Sequence, residues 1–305
     1  MASGSADDGG GGRFAIDGQA FVAPPLAPGL YIVATPIGHL ADVTIRALRT
    51  LAAADIVACE DTRVTRVLLD RYGMKRSMLT YHEHNGAEQR PKLLAALAEG
   101  RSVALVSDAG TPLLSDPGYR LVREAAEAGH AVFPIPGASA LLAGLVTAGL
   151  PTDAFFFAGF LPSRETARRK RLGELAAVPG TLIFYESPHR VGDALADMAA
   201  VLGDRPAAVA RELTKTFETI RRGPLSALAT SFAETPTKGE IVVLVGPPLA
   251  APPDAETVDA LLLRLLSSGS VKSAAEEAAT VTGLPRRDLY QRALALRDGG
   301  DGAGN

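Results

Sequence analysis

The segment SDAGTPLLSDPG, residues 107–118, carries more polar and turn-forming residues than a link between a strand and a helix needs. It follows the apolar run SVALV, residues 102–106, and precedes the helical pattern YRLVREAAEAG, residues 119–129. Glycine allows a backbone to approach a ligand closely, and Ser, Thr and Asp side chains supply the polar contacts of a pocket. The segment is therefore either a binding loop or only a turn, in which Asp116 before Pro117 would cap the next helix.

Two other predicted strands are followed by loops of the same kind. TPIGHLAD, residues 35–42, follows LYIVA, and PGAS, residues 136–139, follows AVFPI. Ligands of open α/β sheets bind beyond the carboxyl ends of the strands, so three such loops on one edge predict a pocket. None of the loops matches GxGxxG or the GxxxxGK phosphate loop, which argues against a dinucleotide or a nucleoside triphosphate.

Titratable side chains follow further predicted strands. CEDTR supplies Glu60 and Asp61, FYESPHR supplies Glu186, and RELTKTFET places Lys215 at the tip of a predicted hairpin. In YHEHN, His82 and His84 would share one face of a strand, but a metal ion needs at least one more ligand. Because the chain has no HExxH or CxxC pattern, we expect no metal site.

The order of apolar and amphipathic segments indicates the fold. Strand patterns alternate with helical ones up to Leu150, which predicts a parallel α/β layer. In the second half, the neighbouring strand patterns AAVARE and FETIRRG predict a hairpin and hence a mixed sheet. GPPLAAPPD, residues 246–254, is typical of a linker, and only helical patterns follow it. Ser270 is expected to cap one of these helices, and Gly283 with Pro285 to end it and begin the next.

Composition excludes several classes of protein. The 305 residues are 47% hydrophobic, and the formal net charge of −3 argues against a generally sticky nucleic-acid binder. Cys59 is the only cysteine, which fits a reducing compartment, and we expect it to be buried. Residues 1–27 are predicted to be a disordered Gly-rich tail rather than a signal peptide. The uncharged stretch of residues 131–150 is interrupted by Pro and Gly, so we expect a cytoplasmic protein with no membrane span.

Basic residues cluster despite the negative net charge. SRETARRKR, residues 163–171, is the densest run, and such a run is by default a solvated helix face. Together with basic residues elsewhere it is also a candidate surface for RNA phosphates. The candidate RNA-binding residues are Arg164, Arg168, Arg169, Lys170, Arg221, Arg222, Arg286 and Arg287.

The chain resembles the ribosomal RNA (cytidine-2′-O)-methyltransferases of the tetrapyrrole methylase superfamily. The resemblance rests on segments that occur in order: LYIVATPIGHLAD, CEDTR, YHEHN, SDAGTPLLSDPG, IPGASA, GLPTDAFFFAGFLPSR, FYESPHR, RELTKTFET and KGE. It runs from about Gly29 to Gly246, and the C-terminal helices are similar as well. The Gly-rich N-terminus departs from it. TPIGHL stands where corrin and porphyrin methylases carry a GxGxGD-like loop, which argues against a tetrapyrrole substrate.

The resemblance implies a domain plan and a partner. It implies two α/β domains, residues 28–151 and 152–247, with S-adenosylmethionine in the cleft between them. Residues 254–298 would form a small helical appendage that binds substrate. The implied reaction is 2′-O-methylation of a cytidine in small-subunit ribosomal RNA, either free or in the assembled subunit, by a homodimer that needs no metal.

The resemblance also implies which residues hold the cofactor. Carried over position by position, the set is Pro36, Asp108, Gly110, Thr111, Leu113, Ser139, Ala140, Tyr185, Leu213 and Glu240.

A ribose hydroxyl is a weak nucleophile, so a general base or a cation that stabilises the oxyanion is expected. Lys215 ranks first for this role, before Glu186, Asp61 and His84. A surface charge or phosphate contact is the alternative for Lys215. Two other functions remain open at this point: a methylase of a tetrapyrrole or a protein residue, and a ribosome-assembly factor that has kept the fold without catalysis.

Overall fold

The computed structural model describes residues 12–234, 237–249 and 255–300. These residues divide into two compact units on either side of Pro248. Part of the predicted tail (residues 1–11) and part of the predicted linker (residues 250–254) lie outside the described residues. Among the residues described, no helix is long and apolar enough to cross a membrane.

The prediction of a disordered tail is wrong for its second part, which forms a β-hairpin. Strands β1 (Arg13–Ile16) and β2 (Gln19–Val22) pair antiparallel. Asp17 and Gly18 make the two-residue turn, both with positive φ, and Asp-Gly between two short apolar runs is a strong hairpin signal. Phe14 is buried in the core of the first sheet, and burial of this ring stabilises the hairpin.

The first sheet is wholly parallel, as the alternating pattern predicts, with the strand order β5-β4-β6-β3-β7. Its strands are β3 (Gly29–Val33), β4 (Ile56–Cys59), β5 (Met78–Thr80), β6 (Ser102–Val106) and β7 (Val132–Ile135). The central strand β6 is buried along its whole length, and Cys59 is buried as expected. Parallel strands covered on both faces read as continuous apolar runs, so their sequences could be recognised. Strand β5 has three residues and too little pattern to predict.

Helices connect these strands and leave their carboxyl ends at one edge. They are α1 (Ile45–Ala53), α2 (Thr62–Arg71), α3 (Gly86–Ala98), α4 (Tyr119–Glu127) and α5 (Ala140–Ala148), and a 3-10 turn spans Leu40–Asp42. Thr44, Asp61 and Ser139 cap α1, α2 and α5 with their side chains. Helix α4 differs from the prediction, because its N-cap is Gly118 rather than Asp116.

The second sheet is mixed, as predicted, with the order β11-β10-β12-β9-β8. Its strands are β8 (Phe155–Phe160), β9 (Thr181–Glu186), β10 (Pro206–Arg211), β11 (Thr219–Pro224) and β12 (Ile241–Val245). Strands β10 and β11 form the predicted hairpin. Helices α6 (Glu165–Leu175), α7 (Val191–Leu202) and α8 (Leu225–Glu234) pack with this sheet around Phe184 and Leu195.

Both sheets lie in the first unit and share a hydrophobic core. Leu141 and Leu145 of α5, which belongs to the first half, pack with Ile183, Val242 and Leu244 of the second sheet. This shared core fixes the two sheets relative to each other, so a pocket between them has firm walls.

The second unit contains three helices, α9 (Ala255–Leu266), α10 (Val271–Thr282) and α11 (Arg286–Gly300). Ser270 caps α10 by accepting a hydrogen bond from the Ser273 amide, and Gly283 ends it in the left-handed conformation, both as predicted. Leu262, Ala275, Ala278 and Leu289 form the core of this unit.

Candidate functional site

The three predicted loops follow neighbouring strands, since β6, β3 and β7 are adjacent in the first sheet. Hydrogen bonds join them into one surface. The amides of Thr35 and Gly110 each donate to the other's carbonyl, at 2.9 and 3.1 Å. The Thr111 hydroxyl donates to the Ala138 carbonyl at 3.1 Å. These contacts join SDAGTP to both of the other loops.

A cavity of about 340 Å³ lies where this surface meets the second sheet. That volume is in the range of cavities that hold small molecules. The first half contributes Ile37, Ala109, Gly110, Thr111, Leu114, Ser115, Asp116, Ser139 and Ala140. The second half contributes Phe160, Tyr185, Glu186, Ser187, Pro188, Leu213, Gly239, Glu240, Ile241 and Val242.

The two halves also touch beside the cavity. The His39 amide donates to the Thr214 hydroxyl at 3.1 Å. A Cβ atom on Gly38 would come within 2.4 Å of the Lys215 side chain, so this loop reaches the β10–β11 hairpin only because the residue is glycine. The hairpin and the first loop therefore form one wall.

Seven of the ten residues expected to hold the cofactor line the cavity. They are Gly110, Thr111, Ser139, Ala140, Tyr185, Leu213 and Glu240. The lining does not include Pro36, Asp108 or Leu113. Asp108 accepts a hydrogen bond from the Asp61 amide at 2.9 Å, and Leu113 packs against the core of the first sheet. Pro36 is itself buried.

Lys215, the first candidate for catalysis, lies beside the cavity in contact with two carboxylates. Its ammonium is 3.0 Å from Glu212 Oε1 and 2.9 Å from Glu240 Oε2. Burial disfavours the charged ammonium, but the hydrogen bonds to Glu240 and Glu212 outweigh it and raise the pKa of Lys215. Lys215 therefore carries a proton at neutral pH, which suits a stabilising cation and not a base.

Glu186 is buried in the cavity wall at the end of β9. Its Oε1 atom accepts hydrogen bonds from the Arg190 guanidinium, at 2.6 Å, and from the Ser187 amide, at 2.7 Å. Its Oε2 atom is buried and has no hydrogen-bond partner within the described part of the chain. A buried carboxylate oxygen without a donor is costly, so this atom is suited to accept a hydrogen bond from a ligand.

Asp61 and His84 are less suited to proton transfer. Asp61 caps α2 and makes a two-pronged ion pair with Arg63, and the hydrogen bonds from Arg63 lower the pKa of Asp61 to about 2. His84 is exposed in the turn after β5 and does not line the cavity. Its ring centroid is 6.0 Å from that of His82, but the described residues contain no cluster of His, Cys, Asp or Glu that could hold a metal ion.

Asp116 was not among the catalytic or cofactor-binding candidates from the sequence, although the resemblance implied that residues 115–118 shape the wall of the site. Its position before Pro117 indicated a helix cap, but α4 begins at Tyr119 and the Asp116 side chain lines the cavity instead. Burial, followed by the charge of Glu60, raises the pKa of Asp116 to about 6. The available signal was the unusual presence of two acidic residues, Asp108 and Asp116, in a single connecting loop.

The basic residues of α6 differ in exposure. Arg164, Arg169 and Lys170 are exposed, although Arg169 pairs with Asp197 and Glu165. Arg168 is only 6% exposed, and its guanidinium lies 2.6 Å from the buried Asp197 carboxylate. This position favours a structural role for Arg168 over the predicted contact with RNA.

The remaining basic candidates lie on β11 and α11. Arg221 donates to the Ser231 hydroxyl at 2.8 Å, and Arg222 donates to the carbonyls of Thr147 and Ala148. In the second unit, Arg286 pairs with Glu276 at 3.3 Å, and Arg287 is exposed. Arg286 and Arg287 line a cleft together with Lys272, Tyr290, Gln291 and Leu294. RNA binding by these residues stays a prediction.

Two family models match the chain. Residues 29–229 match the tetrapyrrole (corrin/porphyrin) methylases, and residues 251–297 match the C-terminal helix-turn-helix domain of RsmI. The first match includes all the loops that line the cavity except those around β12.

Relatives that share one name, and solved structures, are similar to the chain as well. The chain is 59% identical to ribosomal RNA small subunit methyltransferase I of Mesorhizobium japonicum, over 92% of this chain and 97% of that one. It is 47% identical to the protein of the same name from Escherichia coli O157:H7, over 87% and 94%. Among solved structures it is similar to uroporphyrin-III C-methyltransferase from Thermus thermophilus complexed with S-adenosylhomocysteine. That structure has a TM-score of 0.51 and 23% identity, over 71% of this chain and 97% of that one.

Proposed function

The chain belongs to the tetrapyrrole methylase family, and we propose that it transfers a methyl group from S-adenosylmethionine to a cytidine 2′-hydroxyl of small-subunit ribosomal RNA. The observation that carries the proposal is the similarity to relatives named as methyltransferases of small-subunit ribosomal RNA, which extends through the C-terminal helices. A methylase of tetrapyrroles would share the first match but not the second.

The cavity suits S-adenosylmethionine in volume and in charge. The cofactor supplies an electrophilic methyl group on a positively charged sulfur, and it also carries an ammonium group. The wall of the cavity includes Glu186 and Glu240, whose carboxylates suit these positive charges. Because Glu186 Oε2 is buried without a donor, a cationic or hydrogen-bonding ligand would remove the cost of that unpaired oxygen.

The residues proposed to hold the cofactor meet two conditions: the family resemblance implies them, and they line the cavity. Gly110 has a φ of 83°, which brings the backbone of SDAGTP against the cavity without a side chain in the way. Thr111 and Ser139 supply hydroxyl groups, and Tyr185 supplies an aromatic face. Ala140, Leu213 and Glu240 complete the proposed set.

Lys215 is proposed to act as a fixed cation beside the reacting oxygen. Its ammonium bridges two carboxylates, and that contact holds it at the edge of the cavity through Glu240. Negative charge develops on a ribose oxygen as it loses its proton, and a fixed cation nearby lowers the free energy of that state.

The second unit is proposed to bind RNA. Its cleft combines Lys272, Arg286 and Arg287, which suit phosphates, with Tyr290, which is 40% exposed and suits a base. With an RNA substrate of this kind, we propose that the protein acts in the cytoplasm.

A homodimer is the proposed assembly. The exposed apolar side chains Leu142 and Val146 on α5, and Phe155 and Phe156 on the edge strand β8, support it.

The function is tested with small ribosomal subunits from a strain that lacks the gene. Purified protein and S-adenosylmethionine should add one methyl group to a cytidine ribose, located by mass mapping of nuclease fragments. Free small-subunit RNA, tested in parallel, decides whether the assembled subunit is required. Cofactor binding without methylation of either substrate would contradict the proposal and favour an assembly factor.

A further inference from the structure

The loop that contains Asp116 adopts a backbone conformation that its local sequence does not favour. Leu113 and Ser115 both have positive φ, 73° and 69°, although neither is glycine. Such residues cost conformational free energy and persist only where surrounding structure holds them. Here Leu113 packs against the hydrophobic core of the first sheet. Ser115 lies against Gly159 of β8, since a Cβ atom added to Gly159 would be 3.1 Å from the Ser115 hydroxyl.

The consequence of this conformation is that the Asp116 carboxylate is not used as a helix cap. Helix α4 begins after Gly118, two residues later, and Asp116 lies in the cavity wall with Tyr185 and Ser139. The loop therefore places Asp116 in the wall of the cavity that is proposed to hold the methyl donor.

Asp116 also differs from the other carboxylates of the cavity in its charged neighbours. Glu186 pairs with Arg190, and Glu240 pairs with Lys215. No ion pair found among the described residues includes Asp116. Its charged neighbours are Glu60, after β4, and Asp108, after β6, and both repel a negative charge.

These surroundings make Asp116 a better proton acceptor than an ordinary carboxylate. Burial makes the largest contribution to the raised pKa of Asp116, and repulsion by Glu60 and Asp108 raises the pKa further. A hydrogen bond from Ser107 partly offsets this rise, and the resulting pKa is about 6. From β9, Tyr185 is a neutral neighbour, because burial raises its own pKa. A carboxylate with a pKa of about 6 is mostly ionised at neutral pH and retains more basicity than an exposed one.

We propose that Asp116 is the general base that accepts the proton of the ribose 2′-hydroxyl, an inference that rests on the proposed function. As the hydroxyl proton passes to the Asp116 carboxylate, the 2′-oxygen forms a bond to the methyl carbon. The carbon–sulfur bond breaks and its electron pair stays on sulfur, which becomes neutral. The protonated Asp116 then releases its proton to water.

The other acid–base candidates are less suited to this role. Lys215 holds its proton through two carboxylates, Asp61 is a weak base with a pKa of about 2, and His84 lies outside the cavity wall. Glu186 has an Oε2 atom without a partner among the described residues, but its carboxylate forms an ion pair with Arg190 at 2.6 Å, so a cation competes with a proton for it. Asp116 lies in the cavity wall, has a raised pKa and is not paired with a cation among the described residues, as a general base requires.

The test is the single-turnover rate of methylation between pH 5 and about 8.5, with subunits from the gene-deletion strain as substrate. For the wild type we expect the rate to rise with a midpoint near the pKa of Asp116, about 6. Asp116→Asn should lower the rate about 10²- to 10⁴-fold and remove this rise. Asp116→Glu should recover part of the rate. The matched control is Asp70→Asn, at an exposed aspartate of α2, which should keep the wild-type profile.

Two further measurements make the outcome decisive. The affinity for S-adenosylhomocysteine, measured by calorimetry at pH 8, should change less than about threefold in Asp116→Asn. Carbon-13 NMR of labelled aspartate should show a carboxyl that titrates near pH 6 in the wild type and in Asp70→Asn but is absent from Asp116→Asn. A folded Asp116→Asn protein that keeps the wild-type rate and pH dependence overturns the proposal. If the wild type itself methylates no small-subunit RNA, the proposed function fails instead.

Discussion

Gly110 and Thr35 are joined by two backbone hydrogen bonds, of 2.9 and 3.1 Å, between loops that lie about seventy residues apart in the sequence. The pair fixes SDAGTP against the first loop at the carboxyl edge of the sheet. Gly110 has a φ of 83°, and a Cβ there would lie 3.1 Å from Ile37. The position therefore requires glycine both for backbone conformation and for space.

Gly110→Val should weaken binding of S-adenosylhomocysteine at least about tenfold, equivalent to about 1.4 kcal/mol. The side chain would displace Ile37 and enter the cavity. Calorimetric titration measures the affinity. Gly100→Val is the matched control, since Gly100 also has positive φ (75°) but has no atom within 4 Å of the added Cβ. Equal affinities in the two folded variants would show that SDAGTP does not bind the cofactor.

Lys215→Ala should lower the rate of methyl transfer about 10²- to 10³-fold, because a fixed cation near the developing oxyanion is lost. Lys215→Arg should retain most of the rate, since arginine keeps the charge. A base would behave differently, because arginine keeps its proton at neutral pH. Single-turnover kinetics distinguish the two roles, and Lys75→Ala, at an exposed lysine, is the control. A similar loss of rate in both Lys215 variants would contradict the charge role.

Arg168→Ala should destabilise the protein by about 3–5 kcal/mol, since it leaves the Asp197 carboxylate buried without its closest cation. Chemical denaturation measures this loss. Lys92→Ala breaks the exposed pair with Glu88 and should cost at most about 1 kcal/mol. A small effect of Arg168→Ala on stability, combined with weaker RNA binding, would restore the original prediction of an RNA contact.

RNA affinity should decrease with salt, and loss of exposed basic residues should reduce that dependence. Each lost phosphate contact with a single strand lowers the slope of log K against log salt by about 0.7. We expect such a reduction in the double variants Arg164→Ala with Lys170→Ala and Arg287→Ala with Lys272→Ala. Arg71→Ala with Lys75→Ala, at exposed positions at the end of α2 and just after it, serves as the control. Wild-type slopes in the first two variants would show that those residues are only solvated.

The folded protein should be more stable at neutral pH when Asp116 is replaced by Asn. The pKa of Asp116 rises from its ordinary value of 3.8 to about 6 on folding, so the folded state binds its proton more tightly. The resulting stabilisation is complete below pH 3.8 and is lost as the pH rises through 6. Asp116→Asn imitates the protonated form, so its Tm should exceed that of the wild type at pH 7–8, and the difference should shrink below pH 4. A Tm difference independent of pH would argue against the raised pKa.

The sequence by itself determined the parallel first sheet, the mixed second sheet and the helix caps at Ser270 and Gly283. These features depend on local patterns: buried strands read as apolar runs, and caps need particular residue types at fixed positions. It also located the three loops that form the first half's share of the cavity wall, because the ends of parallel strands meet at one edge whatever the details of packing, whereas Tyr185, Leu213 and Glu240 were expected only from the family resemblance. The N-terminal hairpin was predictable in principle from Asp17-Gly18, but the Gly-rich composition before it obscured that signal.

Only the tertiary structure decided what the charged side chains do. Arg168 and Arg169 are neighbours in one basic run, but packing buries the first against Asp197 and leaves the second exposed. The protonation behaviour of Lys215 and Asp116 was not readable from the sequence, because their pKa values depend on groups distant in sequence, such as Glu240 for the lysine and Glu60 for the aspartate. Desolvation and charge–charge interactions depend on positions in space, and a residue's type and its neighbours along the chain do not specify them.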